Sequence, residues 1–454
     1  MTDTVSTNRY LAGNYAPVSD ELTVYALPVD GTIPAELRGR FVRNGPNPIT
    51  PPNPDTYHWF TGTGMLHGVR IEDGRATWYR NRWLRSADVT AALGEAQKGG
   101  PIFEGMDFAA NTNVIGHAGR TLAIVEGGTR PYEVDDLLES IGPTDFGATL
   151  PGGFTAHPKL DPATGELHAM AYWWGWGNRV QYIVVGTDGR VRETRFVDTH
   201  GSPMMHDMSL TERFAVAFDL PVAFDMDAAM AGARFPYYWQ QDYPARFGLV
   251  PRNGGDVRWV DIDPCYVFHP MNAFDDGDQL VIDAIRWQRM FDRRDDNGPL
   301  GRTPPTLTRW TIDTVTATAR ETTLDDHDQE FPRINETLTG RRHRYGYAAV
   351  NLGDDRGGII KHDLGNGSSE TVDFGPGSGN GANEAVFIPA GAAGDGAEDD
   401  GWLMSIIYDA SDDTSSLVIL AAQDIAAGPV ATVHLPRRVP FGFHGNWLPD
   451  TRPS

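Results

Sequence analysis

Short apolar runs, most of them rich in β-branched or aromatic residues, recur along the chain. Such runs read as strands when turn residues bound them. The candidates are Thr121–Val125, Val180–Val185, Phe214–Phe218, Val257–Ile262, Gln279–Ile285, Leu307–Ile312, Trp402–Tyr408 and Ser416–Leu420. Asp73-Gly74, Asp188-Gly189 and Asp276-Gly277 are turn dipeptides between such runs. The 51 glycines and 32 prolines favour a turn-rich all-β architecture over a helical one. Many evenly spaced short strands suggest a propeller or a large barrel. No internal repeat is visible by eye, so the pattern alone leaves the two open.

Three segments break the pattern. Gly391–Gly401 is small and acidic and is expected to be a solvated loop. Phe374–Gly381 is glycine-rich, but it lacks the Lys-Ser/Thr ending of a phosphate loop and is expected to be a turn. The stretch from Phe224 to Tyr243 gathers Met226, Met230, Phe235, Tyr237, Tyr238 and Trp239. It reads either as aromatics packed under a loop or as an apolar patch for a ligand or membrane.

Composition narrows the partners. The length of 454 residues would suggest two or three domains, although large all-β folds can run that long as one unit. Apolar residues make up 40% of the chain, enough for a large core. The formal charge is −23, which argues against nucleic acid, whose affinity comes mostly from neutralised phosphates. It also argues against electrostatic binding to an anionic membrane. A single cysteine, Cys265, excludes an internal disulfide and fits a reducing compartment. No secretory signal pattern opens the chain, and no apolar run reaches the roughly 20 residues needed to span a bilayer. The expected location is cytoplasmic.

The chemistry resides in histidine. A lone histidine is usually a surface or core residue, and the chain has 13. Four stand in motifs of their own: His157 in TAHPKLDPATGE, His206 in MMHD, His269 in VFHPMNAF and His444 in FGFHGNW. Neutral imidazole suits iron, zinc, copper and nickel. Four imidazoles leave a divalent ion its full charge, and a six-coordinate ion would keep two positions open. The spacing is wide, so only the fold can bring the four together.

These motifs, with LAGNYAPVSDE, GRFVRNGPNP, YHWFTGTGMLHG, YRNRW and VEGGTRPYEVD, resemble the carotenoid cleavage oxygenase family over nearly the whole chain. The resemblance implies a seven-bladed β-propeller, residues 1–454 as one domain, with a loop and helical dome over an iron site. It implies that His157, His206, His269 and His444 bind one ferrous ion, Fe(2+). It further implies three supporting glutamates: Glu126 for His206, Glu330 for His269 and Glu384 for His444. His157 is left without a carboxylate partner, bonded to water or backbone. Thr112, fourteen residues before Glu126, matches the family position whose methyl crowds one open iron position.

The implied reaction adds both atoms of O2 across a conjugated C=C bond of a hydrophobic polyene and leaves two carbonyl products. The Phe224–Tyr243 stretch would help form the tunnel mouth and a peripheral contact with the inner face of a membrane. Two departures bear on the substrate. Thr61-Gly62-Thr63-Gly64 stands where family members commonly have Asp-Gly-Asp-Gly, which implies different turn bonding. Val125 stands where stilbene- and phenylpropanoid-cleaving members carry a lysine that meets the substrate phenol. A carotenoid or apocarotenoid is therefore expected before a stilbene or isoeugenol-like aryl alkene. A retinoid-type isomerase using the same iron, or a propeller that only binds, stays open at this stage.

Overall fold

The computed structural model describes residues 8–108, 110–292, 303–378, 383–391 and 396–450. Seven antiparallel sheets form the blades of a β-propeller among the described residues. Blades two to six are four-stranded meanders, the fourth interrupted by an excursion between its second and third strands. The second is built from Asn113–His117, Arg120–Ile124, Tyr132–Val134 and Ser140–Pro143. Lys159–Leu160, Met208–Leu210, Pro270–Asp276 and Gln329–Arg333 are the first strands of blades three to six.

The ring closes by two overlaps. Gly445–Pro449 adds the innermost strand of the first blade beside Gly39–Pro46, in a register that sets Arg43 opposite Gly445. Val29–Gly31 adds the outermost strand of the seventh blade beside Pro429–His434. Sequence-distant segments thus share both sheets, and hydrogen bonds rather than a covalent link hold the circle.

Burial explains the strand pattern. Gln279–Arg286 is buried at six successive positions because it lies mid-blade with a neighbouring blade on each face. Val191–Asp198, on an outer edge, alternates buried or half-buried with exposed residues, as a strand with one wet face does. All eight expected strands are present to within two residues. Asp73-Gly74 joins Gly64–Glu72 to Arg75–Trp83 with both residues at positive φ, the conformation that suits a tight two-residue hairpin.

Two expectations need correction. Phe374–Pro376 is not a turn: it ends the outer strand Ser368–Pro376 of the sixth blade, with Pro376 opposite Arg356. Proline is tolerated there because an outer edge needs no ladder donor. The turn expectation holds at Gly377, which follows the strand at positive φ, and 379–381 lie outside the described residues. Of the acidic 391–401 stretch, 392–395 also lie outside. The part that follows is not merely solvated. Glu398 accepts from the backbone N–H groups of Arg344 and Tyr345, both at 2.7 Å, and Asp399 pairs with the buried Lys361 at 2.9 Å.

The Phe224–Tyr243 stretch is an excursion between the second and third strands of the fourth blade. Val222–Phe224 pairs with Tyr237–Trp239, and the short helix Met226–Met230 lies between them. The stretch is packed in part and exposed in part. Tyr237 and Tyr243 are buried, whereas Met226 and Met230 are exposed.

Candidate metal centre

Each blade presents one residue where its innermost strand begins. His444 immediately precedes Gly445–Pro449 of the first blade, and Thr112 precedes Asn113–His117 of the second. His157, His206 and His269 lead into the third, fourth and fifth blades, Glu330 is the second residue of the sixth blade's innermost strand, and Glu384 leads into the seventh. Glu126 follows Arg120–Ile124, whose antiparallel course returns to the same end of the axis. Seven innermost-strand starts scattered through the chain therefore converge on one spot.

The four histidines form one buried group whose candidate ligand atoms all lie within 4.8 Å of one another. Nδ1 of His206 meets Glu126 Oε1 at 2.6 Å, and Nδ1 of His269 meets Glu330 Oε2 at 2.6 Å. Nδ1 of His444 meets Glu384 Oε1 at 3.0 Å. Each carboxylate fixes its ring's tautomer and leaves Nε2 free to face the centre. His157 differs. Its Nδ1 lies 3.6 Å from Asp207 Oδ2, beyond hydrogen-bond reach, and Asp207 instead pairs with Lys159 at 2.8 Å. His157 Nε2 is buried and has no hydrogen-bond partner.

The carboxylates are themselves tied down. Glu330 accepts from Trp287 Nε1 at 2.8 Å and from the backbone of Phe331 at 2.6 Å. Glu384 accepts from the Gly445 backbone at 3.1 Å and pairs with Arg333 at 3.0 Å. Burial alone would raise the Glu384 carboxyl, but Arg333 and His444 hold it well below the usual carboxylate range. Burial, reinforced by the three neighbouring imidazoles, pushes His157 well down and keeps it neutral. At His206 the Glu126 carboxylate outweighs burial and raises proton affinity. Converging Nε2 atoms and an orphaned nitrogen at His157 fit a divalent cation. No other group of three or more His, Cys, Asp or Glu side chains with this geometry occurs among the described residues.

Thr112 is buried beside this group, and its hydroxyl donates to Asn111 Oδ1 at 3.1 Å. The threonines of the Thr61–Gly64 turn take up local bonding: Thr63 Oγ1 donates to Asn47 O at 2.8 Å, and Thr61 Oγ1 donates to His58 O at 2.8 Å. Four nearby residues were given no role from sequence: Lys159, Asp207, Trp287 and Arg333. Two of them were legible, since Lys159 and Asp207 stand inside the HPK and MMHD motifs.

A cavity of about 830 Å³ opens onto the histidines. His206, His269, His444, Thr112, Val125 and Glu126 belong to its wall. Most of the remainder is aromatic or methionine, including Trp59, Phe60, Phe235, Trp287, Met290 and Phe331. The excursion of the fourth blade supplies one rim through Phe224, Met226 and Met230, with Trp174 stacked on Phe224 at 5.3 Å between ring centroids. The size suits a small-molecule site, and a mostly apolar wall with few polar groups is the common composition of one.

The family model described as Retinal pigment epithelial membrane protein matches residues 15–449. A carotenoid cleavage oxygenase of Mycobacterium tuberculosis is 46% identical, with 98% of each chain covered. The carotenoid 9,10(9',10')-cleavage dioxygenase of Crocus sativus is 34% identical, covering 96% of this chain and 88% of that one. Among solved structures, the lignostilbene dioxygenase of Pseudomonas brassicacearum superposes with a TM-score of 0.86 at 28% identity, covering 98% of this chain and 99% of that one.

Proposed function

Because this chain belongs to the carotenoid cleavage oxygenase family and is an oxygenase, we propose that it is an iron(II)-dependent enzyme cleaving a conjugated C=C bond of a carotenoid or apocarotenoid with O2. Two carbonyl compounds are the products. His157, His206, His269 and His444 hold the ion. When bound, ferrous iron would supply the activation of dioxygen beside the alkene.

The chain's own residues do the remainder. Glu126, Glu330 and Glu384 orient three of the rings and raise their donor strength. Thr112 lines the cavity beside the histidines and would narrow the space in which a diatomic could sit. The aromatic wall excludes water and lays an extended apolar substrate across the centre, so that the scissile bond is placed by shape. No acid–base pair is required.

The observation that carries this reading is the cavity itself: His206, His269 and His444 form part of the wall of a largely apolar space, and His157 stands against them in the same buried group. Val125 lies in that wall beside Glu126 and offers no charge to a phenolate. The only cation among the described lining residues, Arg234, sits exposed on the excursion at the rim. The rim methionines and Trp174 extend the apolar surface outward, which supports delivery of the polyene from a membrane or carrier. No helix among the described residues is long and apolar enough to cross a membrane. We further propose that residues 1–454 act as one domain in the cytoplasm, with this rim as its peripheral membrane contact.

Iron-loaded protein is assayed with a panel of carotenoids and apocarotenals and, in parallel, with resveratrol and isoeugenol. Oxygen uptake is recorded and the products are identified by mass spectrometry. Paired carbonyl fragments of a polyene support the reading. Efficient cleavage of the phenolic alkenes with no apocarotenoid product transfers it to an aryl alkene, the substrate class named for the lignostilbene dioxygenase.

A further inference from the structure

Arg333 lies at the end of the innermost strand of the sixth blade, with its side chain 12% exposed. It does not reach the histidines. Its Nη1 meets Glu384 Oε1 at 3.0 Å, and this is the oxygen that also receives His444 Nδ1 at 3.0 Å. Its Nη2 donates to Asn446 Oδ1 at 2.9 Å. Asn446 lies on Gly445–Pro449, the strand that closes the ring, two residues after His444. One planar guanidinium therefore grips both the carboxylate behind His444 and the strand that carries it.

The network continues. Asn446 Nδ2 donates to Asn113 Oδ1 at 3.1 Å and to Val114 O at 2.8 Å. Asn113 Nδ2 donates to Ala156 O at 2.9 Å, in the peptide that precedes His157. Blades six, seven, one, two and three are thus joined by side-chain hydrogen bonds beside the four histidines. His157, which lacks a carboxylate hydrogen bond, is reached through its backbone instead.

We propose that Arg333 is the positioning residue for His444, clamping the ring-closing strand so that metal ligation and closure of the propeller are coupled. The proposal rests on the reading of the four histidines as a metal site. His444 alone among the four is carried on a strand that the fold adds last to an existing blade, so it is the ligand most exposed to loosening of the ring. A fork with two donors at fixed spacing can hold a carboxylate and an amide together; a lysine ammonium keeps the charge but not the fork.

The test uses the full-length chain stripped of metal and titrated with Co(II), whose absorption reports the donor set. Arg333→Met is expected to weaken Co(II) binding by about 10-fold or more, the size of effect common for residues behind a ligand, and to change the bound spectrum. Arg333→Lys should fall between it and the parent. Hydrogen exchange should speed up in the peptides covering 443–449 and stay unchanged in the outer strands of the third and fourth blades. In a Glu384→Gln background, Arg333→Met should cost less than in the parent, because the arm through the carboxylate is already weakened and only the arm to Asn446 is left to lose. Parent-like affinity in Arg333→Met, or fully additive losses in the double variant, would overturn the clamp. If Arg333→Met does not fold, Arg333→Lys decides alone: unchanged affinity and unchanged exchange at 443–449 refute it. A parent chain that takes up no stoichiometric Co(II), or whose uptake survives both His157→Ala and His206→Ala, removes the metal site itself and the clamp with it.

Discussion

His206 and His269 face one another with their Nε2 atoms 3.3 Å apart. Each ring is anchored at the other end, because each Nδ1 is committed to a glutamate at 2.6 Å. With both Nδ1 atoms donating, both Nε2 atoms carry lone pairs. Two lone pairs held at that distance in a buried site call for a proton or a cation between them. His157 and His444 complete the enclosure, so the centre is built around positive charge.

The first prediction follows from that enclosure. Purified chain should hold about one ferrous ion through the four histidines, since an all-imidazole set suits a metal of intermediate softness. Alanine at any one of His157, His206, His269 or His444 should remove most bound iron or most activity. Full iron content together with full turnover in two such variants would sink the assignment. Elemental analysis alongside a turnover assay decides it.

The supporting carboxylates should give a graded series. Glu126→Gln, Glu330→Gln and Glu384→Gln keep the shape but replace a charged acceptor by a neutral amide. Metal affinity or activity should drop about 10–100-fold in each, less than for loss of a ligand. Three variants indistinguishable from the parent would reduce these residues to ordinary buried charges.

Stability should fall on acidification for a reason remote from the metal. Burial pushes His343 and His168 down to about 4 each. His343 receives Asn272 Nδ2 at 3.2 Å, and His168 Nδ1 meets the Tyr182 hydroxyl at 2.7 Å. A free histidine titrates near about 6.5. Between those values the unfolded chain binds more protons than the folded one, so stability is full above about pH 6.5 and declines as pH falls toward 4. His343→Gln should flatten the dependence by up to about 1.4 kcal/mol per pH unit. Thermal melts of metal-free parent and variant from pH 7 to 4 measure it; identical slopes would contradict it.

How much of this was legible in the sequence depends on what each strand has to bury. All eight strands read from apolar runs exist, yet none is an innermost strand. Gln279–Arg286 declares itself because neighbouring blades cover both faces. Lys159–Leu160 and Gln329–Arg333 line the axis, are short and polar, and show no apolar period. The site was legible for the complementary reason: inner-strand starts that are silent as structure carry the histidine motifs. No blades were read at the first or sixth position of the ring, where arginine, glycine and threonine interrupt the runs. Arg333 was invisible because its role is set by Glu384 and Asn446, 51 and 113 residues away, and only the closed ring brings them together.

The last prediction concerns substrate choice and turns on Val125. The residue is 7% exposed and stands in the cavity wall next to Glu126. A buried phenol needs a cation or a strong hydrogen-bond partner, because an unpaired polar group costs on the order of 1–3 kcal/mol. Valine provides neither, and Glu126 spends one oxygen on His206. The aromatic and methionine wall instead rewards apolar area at about 25 cal/mol per Å². A long polyene covers much of that wall and a small hydroxystilbene covers little. The unmodified enzyme should therefore show higher kcat/KM for carotenoid or apocarotenoid than for resveratrol or isoeugenol. Val125→Lys places an ammonium in the apolar wall beside Glu126 and should depress polyene cleavage while raising phenolic turnover relative to it. Steady-state kinetics on both substrate classes measure the ratio; a ratio favouring the phenol in the unmodified enzyme, or one that Val125→Lys leaves in place, would show that this position does not select the substrate.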